Sequence, residues 1–467
     1  MSKTPQAPAA IDQTAQPAKR RGRPAKAAAD ERASSPLATP SKAAPPSDAK
    51  ATTTSKQAGK ASAKTKAAKK KAKPKPPTAK ALAEADLAHR LEDPLFPARA
   101  LEGLDPLRFP PEAMRLGFAV KVMGQPGLKS NDTRRWQQNP HLRVSLGYLA
   151  EIFAYLRKHR IYMYRMGSDL APYATHPTMP QFHSMVRDSA SDLATLGRVA
   201  READIRLSFH PSQFIVLNSE NEELTRKSMW DLDSQAEILD RMEAGPEAIL
   251  VVHVGGAYGD RASGCDRWIR NWSRLSEPVR RRLVLENDDV RFSAADVLKI
   301  HDGTGVKCVF DYQHHWCFNP EGLPLIDTLR RFTATWPAGV RPKTHFSCAR
   351  TEMRELKRRN RKTGKPELVL QPPIWTGHAD YNNPFETITF LRSIAHIDTD
   401  LMLESKAKDL SLIRLRNDIA RFAPDLAPRY GIDIAQPVED VTEIVETEED
   451  ALKPRRSPSP LSRFASL

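Results

Sequence analysis

The chain has 467 residues, a net charge of +15 and 40% hydrophobic residues. No stretch is apolar enough to span a bilayer, the N-terminal Met1-Ser2-Lys3-Thr4-Pro5-Gln6 lacks the apolar core of a secretory signal, and the four cysteines form no CxxC pair. These features argue against a membrane protein and a disulfide-stapled secreted domain, and lead us to expect a soluble intracellular protein in a reducing compartment. We separately expect a monomer, cytoplasmic and nucleoid-associated in a bacterium or nuclear in a eukaryote.

Charge is unevenly spread. Residues 1–80 hold 19 Lys/Arg against 4 Asp/Glu, a net +15, so the remainder is neutral. No Phe, Tyr or Trp precedes Phe96. A segment with so few apolar groups cannot offset the entropy of ordering, and 1–95 is expected to be a disordered basic tail. Within it Arg21-Gly22-Arg23-Pro24 has the form of an AT-hook, whose arginines enter the narrow minor groove of A·T-rich DNA. The stretch from Lys64 to Lys80 reads either as a polyanion-binding tail or as a solvated polybasic one. Either form favours the DNA backbone, with strongly salt-dependent affinity.

From Arg115 strand and helix signals alternate. Strands are expected at Arg115–Val120, Ile161–Met166, Ile205–His210, Ala248–Val254, Leu283–Asn287, Val306–Asp311, Pro342–Ser347 and Leu401–Glu404. Helices are expected at Leu142–Arg160, His183–Asp204, Asn221–Ala244, Trp268–Arg282, Ser293–His301, Leu323–Trp336, Phe385–Ala395 and Asp409–Phe422. Eight such units favour a closed (β/α)8 TIM barrel over residues 115–425 rather than an open sheet. A polar insertion, Arg354–Pro366, falls between strands seven and eight as a basic loop on the active-site face of a barrel, which reads either as suited to a substrate with a phosphate backbone or as an ordinary exposed charged loop. Residues 437–467 lose the pattern and read as a flexible tail, acidic and then Ser/Pro/Arg-rich.

Six of these strands end on a metal-ligand side chain: His210, His253, Glu286, Asp311, His345 and Glu404. A barrel gathers its active site from the carboxyl ends of its strands, so six in succession point to one multi-metal centre. Mixed imidazole and carboxylate ligands suit manganese, zinc, cobalt or iron. Glu286 is a candidate to bridge two cations, with helix capping as the structural alternative. Asp311 and His314 leave one strand together, while His315 reads equally as a ligand or a buried neighbour. His378 is a further ligand candidate and Asp380 a weaker one. His176 reads as a ligand, a phosphate contact or a turn residue. Lys343 shares a face with His345 one layer below, a costly place for an ammonium unless it is paired or modified. A barrel sugar isomerase or epimerase and a catalytically dead DNA-binding protein are the rival readings.

Leu116-Gly117-Phe118, Ala174–Pro177, Ser208–Phe214, His253–Gly256, Leu285–Asp288, Asp311–His315, Lys343–Ser347 and His378–Tyr381 together resemble the UV damage endonuclease family, in order as well as spacing. The resemblance covers about 115–420. It implies a barrel related to the apurinic-site endonucleases, up to three divalent ions (manganese as the usual metal, zinc or cobalt as others), and damaged double-stranded DNA as substrate. It implies a nick immediately 5′ to photolesions, leaving a 3′-hydroxyl and a 5′-phosphate. By resemblance His210, His253, Glu286, Asp311, His314, His345, His378 and Glu404 hold the metals. Glu286, Lys343, His345 and Glu404 stand among the catalytic groups, with Lys343 in the place of a carboxylated lysine. Gln213, Phe214 and Phe118 match lesion-probing positions, the family commonly having tyrosine where this chain has the two phenylalanines.

Overall fold

The computed structural model describes residues 109–435. The basic segment carrying Arg21, Gly22, Arg23 and Pro24 and the C-terminal tail expected at 437–467 lie outside the described residues.

The strands are β1 (Leu116–Ala119), β2 (Met163–Met166), β3 (Arg206–Phe209), β4 (Ile249–His253), β5 (Leu283–Glu286), β6 (Lys307–Asp311), β7 (Lys343–Phe346), β8 (Arg354–Arg359), β9 (Pro366–Gln371) and β10 (Asp400–Leu403). β1 to β7 and β10 close into one parallel barrel, β10 lying between β7 and β1. The helices are α1 (Leu142–Lys158), α2 (Met185–Asp188), α3 (Ala190–Glu202), α4 (Glu222–Arg241), α5 (Arg261–Trp272), α6 (Glu277–Arg282), α7 (Ala294–Thr304), α8 (Tyr312–Cys317), α9 (Leu325–Ala334), α10 (Pro384–Ser393) and α11 (Lys408–Phe422). This is the (β/α)8 TIM barrel expected from the alternation. Among the described residues no helix is long and apolar enough to cross a membrane.

Three expectations need correction. The helix read over His183–Asp204 is interrupted at Ser189, which ends α2 and precedes α3. The helix read over Trp268–Arg282 is broken: α5 begins earlier, under an Asp260 side-chain cap, and α6 restarts at a Ser276 cap with Pro278 in its first turn. Proline lacks the N–H that a continuing helix would use, but is tolerated in a first turn. The insertion read as a loop contains a hairpin, β8 pairing antiparallel with β9 from Arg354↔Gln371 to Arg359↔Pro366.

Side-chain alternation along each strand makes two layers. Leu207, Phe209, Leu250, Val252, Leu285, Phe310, Phe346 and Leu403 face the helices in the main core. Ile249, Val251, Val284 and Val309 pack inside the barrel with Trp336. The same inward parity carries Arg206, Ser208 and His210 up one strand, and Asp400, Met402 and Glu404 up another. Register puts His253 beside Glu286 and Asp311 beside His345 at the carboxyl ends. At the opposite end buried Asp400 accepts from Arg206 Nη1 at 2.8 Å and from the Arg115 N–H at 2.8 Å, with Arg341 Nη1 3.8 Å away.

Candidate metal centre

Glu286 ends β5 completely buried, between four imidazoles. Its Oε2 lies 3.0 Å from His210 Nε2 and 3.6 Å from His253 Nε2. Its Oε1 lies 2.8 Å from His345 Nδ1 and 3.6 Å from His314 Nδ1. Glu404 completes the far side, Oε1 3.3 Å from His345 Nδ1 and Oε2 3.8 Å from His378 Nε2. Ligand atoms of His210, His253 and Glu286 fall within 4.8 Å of one another, as do those of Glu286, Asp311, His345 and Glu404. Glu286 belongs to both groups.

Hydrogen bonds to the outer nitrogens decide where the imidazole lone pairs point. A carbonyl oxygen can only accept, so His314 Nδ1 donates to the Asn287 carbonyl at 2.9 Å and His210 Nδ1 to that of Pro211 at 3.1 Å. For His378 the ordering runs through two side chains. Gln313 Nε2 donates to the Gly377 carbonyl at 3.0 Å, so its Oε1 accepts from the Ser347 hydroxyl, whose oxygen accepts in turn from His378 Nδ1 at 2.5 Å. In the neutral form all three rings therefore present Nε2 lone pairs, and that of His210 faces a carboxylate oxygen. Two acceptors at 3.0 Å repel unless a proton or a cation lies between them.

The electrostatics agree. Burial opposes ionisation of Glu286, but His345, His253 and His210 outweigh it and hold the carboxyl well below its usual range. Burial likewise opposes ionisation of Glu404, and Arg165 and His345 overcome it, Arg165 Nη1 forming an ion pair with Oε1. Asp311 is pushed up by burial and by the Glu286 and Glu404 charges. Its Oδ2, His253 Nδ1 and His345 Nε2 are buried with no hydrogen-bond partner among the described residues. Three buried acids, with the His210 Nε2 lone pair facing Glu286 and that of His378 facing Glu404, are a donor set that fits divalent cations of the borderline type. His314 is raised to about 9: burial lowers it, and Asp311, Glu286 and Glu404 more than reverse that.

A pH dependence follows. Below about 9 His314 carries a proton that a cation at Nε2 must displace, so metal affinity should rise with pH, by about tenfold per unit for one displaced proton, and level off above that value. Calorimetric titration in buffers of different ionisation enthalpy counts the released protons. No release at neutral pH would remove His314 from the ligand set.

Other sequence candidates fall elsewhere. Asp380 is taken by Arg354, whose Nη2 lies 2.5 Å from both carboxylate oxygens. His176 belongs to neither group of ligand atoms; its Nδ1 lies 3.4 Å from the Thr178 N–H, as in a turn. His315 Nε2 meets the Leu323 carbonyl at 3.0 Å, its ring packed on Phe310, as a buried structural neighbour. Phe118 is fully buried, edge-on to Tyr164 in the layer beneath the helices, and does not reach the mouth. Outward parity on β1 is the reason, and it leaves Phe214, 72% exposed after β3, as the accessible ring of the pair. Gln213 beside it is also exposed. An open cavity of about 930 Å³ joins Gln213 and Phe214 to His210, His253 and His314.

Lys343 lies directly beneath the cluster, 1% exposed, with one hydrogen bond among the described residues, to Ser208 Oγ at 3.1 Å. Burial and the Arg206 and Arg165 charges push its ammonium far below the ordinary value, toward the neutral amine. Sequence reasoning missed Arg165, Asn287, Gln313 and Ser347. Arg165 was findable from the inward parity of β2; the others stand inside or beside matched motifs, where only their spatial neighbours give them a role.

The fold and its mouth define a TIM-barrel protein with a histidine–carboxylate cluster able to hold metal. The model of the family UV-endonuclease UvdE matches residues 142–427. A UV DNA damage endonuclease of Bacillus velezensis is 31% identical over 269 residues, 57% of this chain and 77% of that protein. A UV-damage endonuclease of Neurospora crassa is 30% identical over 282 residues, 57% of this chain and 39% of that one. The crystal structure of SacUVDE is similar at a TM-score of 0.53 and 30% identity, covering 64% of this chain and 95% of that chain. The chain belongs to the UV-endonuclease family.

Proposed function

We propose that this protein is a metal-dependent DNA-repair endonuclease that nicks the backbone 5′ to ultraviolet photolesions, leaving a 3′-hydroxyl and a 5′-phosphate. Family membership supports a DNA endonuclease and sets aside the sugar isomerase reading. The observation supporting metal chemistry is Glu286, one oxygen toward His210 and His253 and the other toward His345. His210, His253 and Glu286 would hold one divalent ion, and Glu286, Asp311, His345 and Glu404 a second, with His314 and His378 completing the set. Bound there, such ions, manganese being the family's usual choice, supply Lewis acidity at the scissile phosphate and lower the pKa of water.

The chain's own groups prepare that chemistry. Glu286 spaces the two ligand groups by serving both. Arg165 steers Glu404 by pairing with it, and the Gln313–Ser347 relay turns His378 inward. The Lys343 amine, whose ammonium form burial and the Arg206 and Arg165 charges disfavour, is suited to add to carbon dioxide, forming an N–C bond and releasing a proton; the resulting carbamate would carry another anion into the cluster. Phe214 and Gln213 would wedge into the duplex where damage has weakened stacking. Phe214→Ala should lower nicking of a photolesion duplex ~10- to 100-fold, the worth of one base–aromatic stack. Unchanged kcat/KM would assign the probe elsewhere.

The basic segment at 1–95 would raise encounter with DNA without choosing the lesion. Deleting it should flatten the salt dependence of binding and leave the lesion preference intact; an altered preference overturns that division. The decisive test of the whole reading uses ultraviolet-irradiated and intact plasmid, with chelated and metal-restored protein. Metal-dependent nicks confined to irradiated DNA are expected, and their absence refutes the endonuclease.

A further inference from the structure

The hairpin made by β8 and β9 has no place in the metal centre. Residues 354–371 carry seven Lys/Arg against two Glu. Arg354 is committed to Asp380, but among the described residues Lys357, Arg358, Arg361, Lys362 and Lys365 pair with no acid. Charge alone would be a solvated surface. The second observation is apolar: Leu368 is 60% exposed and Leu370 48%, side by side with Lys357 and Glu355 across the ribbon. A two-stranded ribbon is marginal by itself, and exposed leucines on it mark a contact surface.

Its base is fastened to the catalytic mouth. Ala349 bridges to His378, the Arg350 N–H donates to the Gly377 carbonyl at 2.8 Å, and Arg354 pairs with Asp380. The barrel order then sets direction. β7, from which the ribbon springs, is four strands round the ring from β3, from which the Gln213–Phe214 loop springs. The two features stand on opposite sides of the mouth with the Glu286 cluster between.

We propose that the β8–β9 hairpin is a duplex-gripping arm that engages the DNA flank on the far side of the scissile phosphate from the Gln213–Phe214 probe. This rests on the proposed endonuclease function. With the probe at the lesion and the nick 5′ to it, the arm holds the 5′ flank. Its cations meet phosphates, and its leucines lie on the groove wall, since a two-stranded ribbon is of a size that B-DNA grooves admit.

The test compares nicking by the full metal-loaded chain on two photolesion duplexes with identical 3′ flanks, one with a long 5′ flank and one ending a few base pairs beyond the nick. The wild type should favour the long flank in kcat/KM by about tenfold, as the removal of several phosphates from reach of the arm implies. Reversing Lys357, Arg358, Arg361 and Lys362 to glutamate should bring that ratio near one. So should replacing Glu355–Leu370 with two glycines, a closure allowed because Arg354 and Gln371 are already neighbours. The log–log salt slope on the long duplex should fall by about 0.9 for each phosphate that the variant no longer neutralises. A wild-type ratio near one, variants that keep the wild-type ratio, or equal losses on both duplexes each overturn the arm while the endonuclease stands. A wild type that nicks neither duplex overturns the endonuclease reading and the arm with it.

Discussion

Glu286→Gln is expected to lower metal-dependent nicking by roughly 10³-fold or more, since metal Lewis acidity contributes several kcal/mol and each ~1.36 kcal/mol is tenfold in rate. The substitution keeps the shape of a fully buried side chain and removes the charge that two ligand groups share. An amide has one oxygen and one NH2, so it cannot accept from both sides at once. Elemental analysis should therefore show fewer bound ions per chain as well as abolished nicking. DNA binding through the basic segment should survive, and an unchanged circular dichroism spectrum and urea midpoint would separate a dead centre from an unfolded protein. Nicking at the wild-type rate would remove Glu286 from the mechanism.

The second large effect lies at the other end of the barrel and concerns stability. Asp400 is the buried acid that Arg206, Arg115 and Arg341 surround, and Arg206 is itself 3% exposed. Asp400→Ala leaves the Arg206 guanidinium uncompensated in the interior, an effect worth about 3–5 kcal/mol. Urea unfolding followed by circular dichroism would measure it. Replacing Arg206 as well (Arg206→Met with Asp400→Leu) should recover part of the loss, because buried pairs seldom outperform well-packed hydrophobes, while the Arg115 N–H still loses its acceptor. A single-variant loss under about 1 kcal/mol would mean that water reaches Arg206 from the barrel floor.

The metal-centre prediction and the floor prediction share an origin in strand parity. Every second residue of β3 faces inward, so Arg206 stands at the floor, Ser208 beside Lys343, and His210 at the mouth. The same layering puts a serine hydroxyl beside the lysine two residues below His345, which forms no ion pair with an acid among the described residues, while the Arg206 and Arg165 charges disfavour its ammonium more than Glu286 and Glu404 favour it.

What is legible along the chain is whatever repeats at short range. Alternation of apolar runs announces eight β/α units, and a ligand side chain at the end of six of them announces where chemistry gathers. Both signals follow from the two-residue period of a strand and the placement of barrel active sites at strand ends. Caps and prolines are local signals too, and Pro278 after Ser276 marks the break between α5 and α6 that apolar periodicity alone runs across.

Barrel closure decides the rest. Phe118 and Phe214 look alike as motif positions, yet one is sealed beneath the helices and the other stands in solvent, because Phe118 takes the outward parity of β1 while Phe214 lies on the loop beyond β3. His314 and His315 are adjacent, yet one ring turns to Glu286 and the other to the Leu323 carbonyl. Arg165 reaches Glu404 across 239 positions of sequence, a distance over which no local pattern carries information. The residues named their own chemistry; which of them would meet was settled when β10 slotted between β7 and β1, since only a closed ring brings the first and last strands within bonding distance.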